Sequence, residues 1–185
     1  MSLFPEDNRP TPGRGIDTGQ GPERYRGFTL IELLVVIAVA VIIATVAVPN
    51  FQAFAARNQV NAEVLRIRTA LAMAKNTAVT RRKTITVCPS IDRTECLTDW
   101  SAPLMVVEGP MDKGVRKSDE PVLKVLEAGN ASSVSFRNDY RYIRFPQTGW
   151  PRGYNGTFVV CSDGGAGAHV VLSNLGRVRN ARMDC

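Results

Sequence analysis

One carboxylate stands alone in an apolar run. From Phe28 to Val48 the chain reads FTLIELLVVIAVAVIIATVAV, and Glu32 is its only ionisable side chain. A carboxylate in lipid costs a few kcal/mol unless it meets a partner, so Glu32 is a functional candidate by type and place alone. At about 1.5 Å rise per residue the run spans the roughly 30 Å hydrocarbon core of a bilayer. A secretory signal fits less well. Thr45-Val46-Ala47 offers a small-residue cleavage site, but the run is longer than a signal core and carries an acid.

Two further sets of residues could do chemistry. Cys88, Cys96, Cys161 and Cys185 form an even set, all placed after the apolar run. Outside the cytoplasm such a set forms disulfides by default. Of the three possible pairings, Cys88 with Cys96 and Cys161 with Cys185 is expected, because it tethers a loop and the C-terminus separately. The second bridge closes a loop of about 25 residues, which contributes roughly 3 kcal/mol. A zinc site would need more: no Cys-x-x-Cys pair exists and His169 is the only histidine, so no metal is assigned. The other set is Arg177, Arg179 and Arg182. Arg177 and Arg179 are two apart, so on a strand they share a face, and Arg182 is expected within reach as the chain leaves the sheet. Arginines on one face suit phosphates, and three such contacts imply a log-affinity slope near about −2.7 against log salt. The blander alternative is that they cover a sheet edge or pair with Asp163 and Asp184.

Catalysis finds little support. Ser162-Asp163-Gly164-Gly165 lacks the Gly-x-Ser-x-Gly frame, and His169 lies in a strand pattern that favours a packed or solvent-facing imidazole. No phosphate loop or metal box is present, so no enzyme activity and no cofactor are expected.

These residues need elements to position them. The chain has 185 residues, 44% hydrophobic and 22% charged, enough for one ordinary domain plus an appendage. Its formal charge is +6, a surface that favours anionic partners. Four bases and four acids balance in residues 1–27, so the excess lies beyond Gly27. That leading stretch is rich in Pro, Gly and charge and reads as unstructured. Arg24 and Arg26 just ahead of the apolar run place the N-terminus in the cytoplasm and the body outside.

Beyond Asn50 the pattern becomes an amphipathic helix to about Thr80. Val60, Val64, Ile67, Leu71, Ala74 and Ala78 recur at three and four, while Asn58, Asn61, Glu63, Arg66 and Lys75 fall largely on the other faces. Pro49 lacks a backbone donor and predicts a break, bend or local opening in one long helix. From Ile85 the period drops to two, and β-rich runs recur at Leu104–Glu108, Val122–Leu126, Ser133–Arg137, Tyr142–Phe145, Thr157–Cys161 and His169–Ser173. The stretch from Asp112 to Glu120 reads as a solvated, charged loop. With no further helical window, the fold class is α+β: one long N-terminal helix packed on one or two antiparallel sheets. The expected divisions are 1–27, 28–49, 50–83 and 84–185.

The residues Arg26-Gly27-Phe28-Thr29-Leu30-Ile31-Glu32-Leu33-Leu34 resemble the class III signal of type IV pilins and type II secretion pseudopilins. The resemblance implies that residues 1–27 are a leader, that an inner-membrane prepilin peptidase cuts between Gly27 and Phe28, and that the new amine of Phe28 is methylated. It also implies an assembly role for Glu32, pairing with a neighbouring subunit's amine inside an apolar fibre. Glycine suits such a cut because it allows close approach to the backbone. Pairing would offset the desolvation of both charges.

A second resemblance covers the body. Phe145-Pro146-Gln147-Thr148-Gly149, the strand Gly156–Cys161, and Gly176-Arg177-Val178-Arg179 are similar to the GspH/FimT group of minor pilins and pseudopilins, as is the helix end Ala74, Ala78, Val79, Thr80, Arg81 and Arg82. The stretch from Cys88 to about Gly129 matches little. Four cysteines resemble the type IV pilus branch, FimU and FimT, more than the secretion pseudopilins. The implied role is a minor pilin that primes pilus assembly, and hence twitching motility, at or near the tip. Implied partners are other minor pilins, the major pilin, the prepilin peptidase and the inner membrane, with a periplasmic body later carried into the fibre. Two alternatives follow from the same group: DNA binding through Arg177, Arg179 and Arg182 in natural transformation, and a minor pseudopilin of type II secretion.

Overall fold

The structure is a computed structural model that describes residues 27–137 and 141–185. The expected leader and the Arg24 and Arg26 orientation signal lie outside the described residues, Gly27 excepted. The chain falls into two compact units, the first ending at Ile42 and the second running Ile43–Cys185.

Helix α1 spans Leu30–Arg81. It starts where Thr29 supplies a cap: the Glu32 N–H donates to Thr29 Oγ1 at 3.2 Å, and the Leu33 N–H to the Thr29 carbonyl at 3.1 Å. The helix is continuous through Pro49, so of the expected break, bend or local opening an outright break is excluded. One local compensation is visible: the Asn50 side-chain amide donates to the Val46 carbonyl at 2.8 Å, in the turn that proline disturbs. The helix ends at Arg82, which adopts a left-handed φ of 51°.

Every apolar residue in the expected stripe, Val60, Val64, Ile67, Leu71, Ala74 and Ala78, is buried. The stripe packs into one core with both sheets and with Trp100, which sits edge-on to Phe136 and Phe158 at 5.5 and 5.0 Å between centroids.

Eight strands follow: β1 Ile85–Pro89, β2 Leu104–Glu108, β3 Val122–Leu126, β4 Ser133–Phe136, β5 Ile143–Phe145, β6 Gly156–Cys161, β7 Ala166–Leu172 and β8 Val178–Asp184. They form two antiparallel four-stranded sheets, ordered β3-β2-β1-β5 and β4-β6-β7-β8. The fold is the α+β arrangement expected from the sequence, a long helix packed on antiparallel sheets.

In β1 and β2 both faces are buried. Ile85, Val87, Leu104 and Val106 face the helix core, while Cys88, Met105 and Val107 join Cys96 and Met111 in a second cluster. The loops after β1 and β2 therefore cover the outer face of the first sheet. The reading of Asp112–Glu120 as a solvated loop is corrected on this point. Glu120 is buried, and its carboxylate accepts from the Met111 N–H at 3.1 Å and the Lys117 N–H at 2.9 Å. A carboxylate bonded to backbone donors satisfies groups that water would otherwise have to reach.

Candidate functional site

At the N-terminal end, residues 27–29 precede the helix, and Phe28 is 81% exposed. The Gly27–Phe28 bond thus lies in non-helical backbone. Glu32 lies one helical turn on, at the third helical position, where a carboxylate is favoured by the helix dipole. The Thr-x-x-Glu spacing was a capping signal legible in the sequence. The large apolar side chains from Leu30 to Val48 are exposed in the single chain, and this is the one helix among the described residues long and apolar enough to cross a membrane.

At the C-terminal end of α1 two turns meet. Gly149, with φ +72°, has Val79 Cγ2 only 2.8 Å from where a Cβ would stand. Gly176, with φ +71°, would place a Cβ 2.8 Å from the Gly149 carbonyl oxygen. Lys75 ties the second turn down, its Nζ donating to the Leu175 and Gly176 carbonyls at 3.2 and 3.3 Å. The segment Phe145-Pro146-Gln147-Thr148-Gly149 and the segment beginning at Gly176 are therefore one locus, held together by close backbone approach at two glycines. Lys75 was expected on a polar face; it is half-buried as the latch.

From this locus β8 departs as the edge of the second sheet. The sequence pattern did not single it out as a strand, because Val178-Arg179-Asn180-Ala181-Arg182-Met183-Asp184 shows no apolar alternation; seven paired residues with β7 define it. Arg179 lies opposite Val171 and Arg182 opposite Ala168. Ala168 belongs to the buried core, whereas Val171 is exposed. Arg179 is thus on the outward alternation and Arg182, three positions on, is on the opposite one, while Arg177 precedes the strand and is exposed. The chain does not leave the sheet before Arg182, because β8 stays paired to Asp184. On that inner side Arg182 lines a groove with Arg57 and Asn61 of α1, and Arg68 Nη1 donates to Asn180 Oδ1 at 3.2 Å.

The cysteines are paired Cys88–Cys96 and Cys161–Cys185, with Cα separations of 5.6 and 5.9 Å. The second bridge crosses from β6 to the residue after β8, and Gly167 on the intervening strand leaves the room that Cys185 Sγ occupies. Ser162 Oγ donates to the Ala166 carbonyl at 3.0 Å and so serves a tight turn. Among the described residues no His, Cys, Asp and Glu group is arranged to hold a metal.

Besides Glu120, sequence reasoning missed a buried ion pair on α1. Glu63 and Arg66 were expected on the polar face, yet Glu63 is 1% and Arg66 9% exposed. Arg66 donates to Glu63 Oε1 through Nε at 2.8 Å and again through Nη2, and to the Trp100 and Ala102 carbonyls at 2.7 and 3.0 Å. A Cβ on Gly129 would overlap Glu63 Oε2. The i,i+3 spacing of opposite charges was visible in the sequence, but the loops that cover it were not.

Comparison with known proteins bears on this arrangement. The family profile described as Type II transport protein GspH matches residues 63–176, and the prokaryotic N-terminal methylation motif matches residues 24–48. A fimbrial protein of Pseudomonas aeruginosa is 42% identical over 60 residues, covering 32% of this chain and 38% of that one. The type IV major pilin protein PilE1 of Neisseria gonorrhoeae is 47% identical over 55 residues, 30% of each chain. The matches thus span well under half the length of these relatives. The crystal structure of the type IV minor pilin FimU of Pseudomonas aeruginosa superposes with a TM-score of 0.51 at 21% identity, over 66% of this chain and 88% of that one. That likeness is one of fold.

Proposed function

The chain belongs to the GspH family of minor pilins and pseudopilins, and on that premise we propose that it is a minor type IV pilin that primes fibre assembly and sits at or near the tip. The observation that carries this reading is the solvent-exposed apolar rod from Leu30 to Val48 with its one carboxylate, Glu32, in the first turn. A rod of this kind is covered by lipid before assembly and by other pilins' rods afterwards. In this scheme the prepilin peptidase cuts between Gly27 and Phe28 and methylates Phe28. The resulting cationic N-terminus of one subunit pairs with the Glu32 of another, so that two charges share one desolvated site and fix the register of the rods. The body lies in the periplasm before incorporation, a placement supported by the two disulfides. A fibre subunit needs no reacting group, and we assign no enzymatic activity.

The test is Glu32→Leu in the producing bacterium. Cleavage at Gly27 is expected to persist, by N-terminal sequencing, while the subunit disappears from sheared fibres. Incorporation at the native level would overturn the pairing.

A second reading, DNA binding, is favoured by Arg179 on the outward face of the edge strand β8 and by Arg177 exposed just before it. The secretion alternative makes a different demand: a deletion strain would retain pili and lose release of exoproteins.

A further inference from the structure

Beside the edge of the first sheet, at β5, the segment after Phe145 encloses an open cavity of about 560 Å³. Its lining includes Arg144, Arg152, Trp150, Gln147, Thr148 and Tyr154, and among the described residues no carboxylate. Asp112, outside this lining, is bonded to Lys117 at 2.9 Å. Two guanidinium groups with no balancing acid among the described residues of the wall select for an anion.

Arg144 is anchored, and Arg152 is solvent-exposed. Arg144 lies over the Tyr142 ring at 4.5 Å and donates through Nη2 to the Met111 carbonyl at 2.9 Å, while its Nε is buried and meets no acceptor. Arg152 lies over the Trp150 ring at 5.2 Å. The segment that carries Trp150 is a chain of tight turns: Gly149 N–H to the Pro146 carbonyl at 2.7 Å, Arg152 N–H to that of Trp150 at 2.8 Å, and Tyr154 N–H to that of Pro151 at 2.9 Å. Two prolines and two positive-φ glycines, Gly149 and Gly153, fix its path. Yet Trp150 is 41% exposed. A rigid turn that holds an indole in solvent next to cations is preorganised for a ligand, because little ordering entropy remains to be lost on binding.

We propose that this cavity binds an acidic sugar residue, of the hexuronate kind. The carboxylate meets the guanidinium forks, the C–H face of the ring lies on the indole, and hydroxyl groups exchange hydrogen bonds with Gln147 and Thr148. The neutral amide and hydroxyl in the wall favour a polyhydroxyl ligand over a bare anion, and the volume suits one or two sugar rings. The lining belongs wholly to the second compact unit and does not include Glu32, so the site stands whether or not the fibre reading holds.

The test uses the full chain in phosphatidylcholine nanodiscs, titrated calorimetrically with trigalacturonate, with maltotriose as the neutral sugar, and with a six-residue oligothymidylate. Trigalacturonate is expected to bind at least about tenfold more tightly than either competitor, with affinity that falls as salt rises. Trp150→Ala and Arg152→Ala each weaken it by at least about tenfold, while Trp150→Phe stays within about threefold of the native chain. Because Trp150→Ala also changes packing in the turn, Arg152→Lys supplies a control that keeps the charge and loses the fork; it is expected to weaken binding with an unchanged melting temperature. Equal binding of maltotriose, tighter binding of the oligonucleotide, or indifference of trigalacturonate to both alanine variants would overturn the proposal.

Discussion

The guanidinium of Arg66 donates to the carbonyl of Trp100 at 2.7 Å and so pins the loop after Cys96 against the middle of α1. The same arginine neutralises the buried Glu63 one turn earlier. Removing one member strands the other charge. Arg66→Met is therefore expected to lower unfolding free energy by about 3–5 kcal/mol, and Glu63→Leu added to it to recover at least about 1 kcal/mol. Urea melts of the two variants check this, and a double variant no more stable than Arg66→Met would contradict it.

The contact between Gly149 and Val79 joins the body to the helix end by close approach. An alanine at position 149 must adopt a left-handed φ and also displace Val79 Cγ2. A cost of about 1–3 kcal/mol is expected for Gly149→Ala. Adding Val79→Ala should return only the steric part, since the backbone strain stays.

Cys161–Cys185 is the clamp on an edge strand that has little apolar surface of its own. Cys185→Ser with Cys161→Ser is expected to cost about 2–4 kcal/mol. Hydrogen exchange should locate the loss: the β8 amides, from Val178 to Asp184, lose protection first. Uniform loss across both sheets would count against a local clamp.

Acid should weaken the helix-to-β2 link. Glu108 accepts from Lys83 and from Arg81 at 2.8 Å, and Lys83 first, then Arg81, hold its carboxyl below the ordinary value of 4.5. Its folded pKa lies below the unfolded one, so the stabilisation is fully present above pH 4.5 and is lost as pH falls through the folded value. The difference in melting temperature between the native chain and Glu108→Gln is expected to be constant from about pH 8 to about pH 6 and to close below about pH 4. A gap undiminished at about pH 3 would refute it.

For DNA, the alternation along β8 changes the expected stoichiometry. With Arg177 exposed before β8, Arg179 outward and Arg182 inward, two phosphate contacts give a log-affinity slope of about −1.8 against log salt, not the about −2.7 of three. Arg179→Ala should reduce the slope by about 0.9, and Arg182→Ala should leave it unchanged.

Much of this was legible in one dimension. The apolar run and Glu32 follow from composition, because a bilayer-length stretch with a single acid needs no fold to define it. The stripe from Val60 to Ala78 follows from a 3.6-residue period, and β1 to β6 were each anticipated within a few residues because their side chains alternate or carry β-forming types. Where local pattern was weak, packing decided. β8 has a polar sequence and exists because β7 offers it a ladder and Cys185 holds its end; that ladder also sets which arginines share a face. Glu63 and Arg66 look like surface charges until loops some thirty residues on fold over them. Gly149 and Gly176 are ordinary turn glycines in sequence, and only their meeting over Lys75 and Val79 makes them a joint. The sequence by itself determined the rod, its acid and the amphipathic half of the helix, since these depend on neighbours along the chain. Tertiary structure alone decided the arginine faces, the buried ion pair and the cavity beside Trp150, since each depends on residues brought together from distant segments.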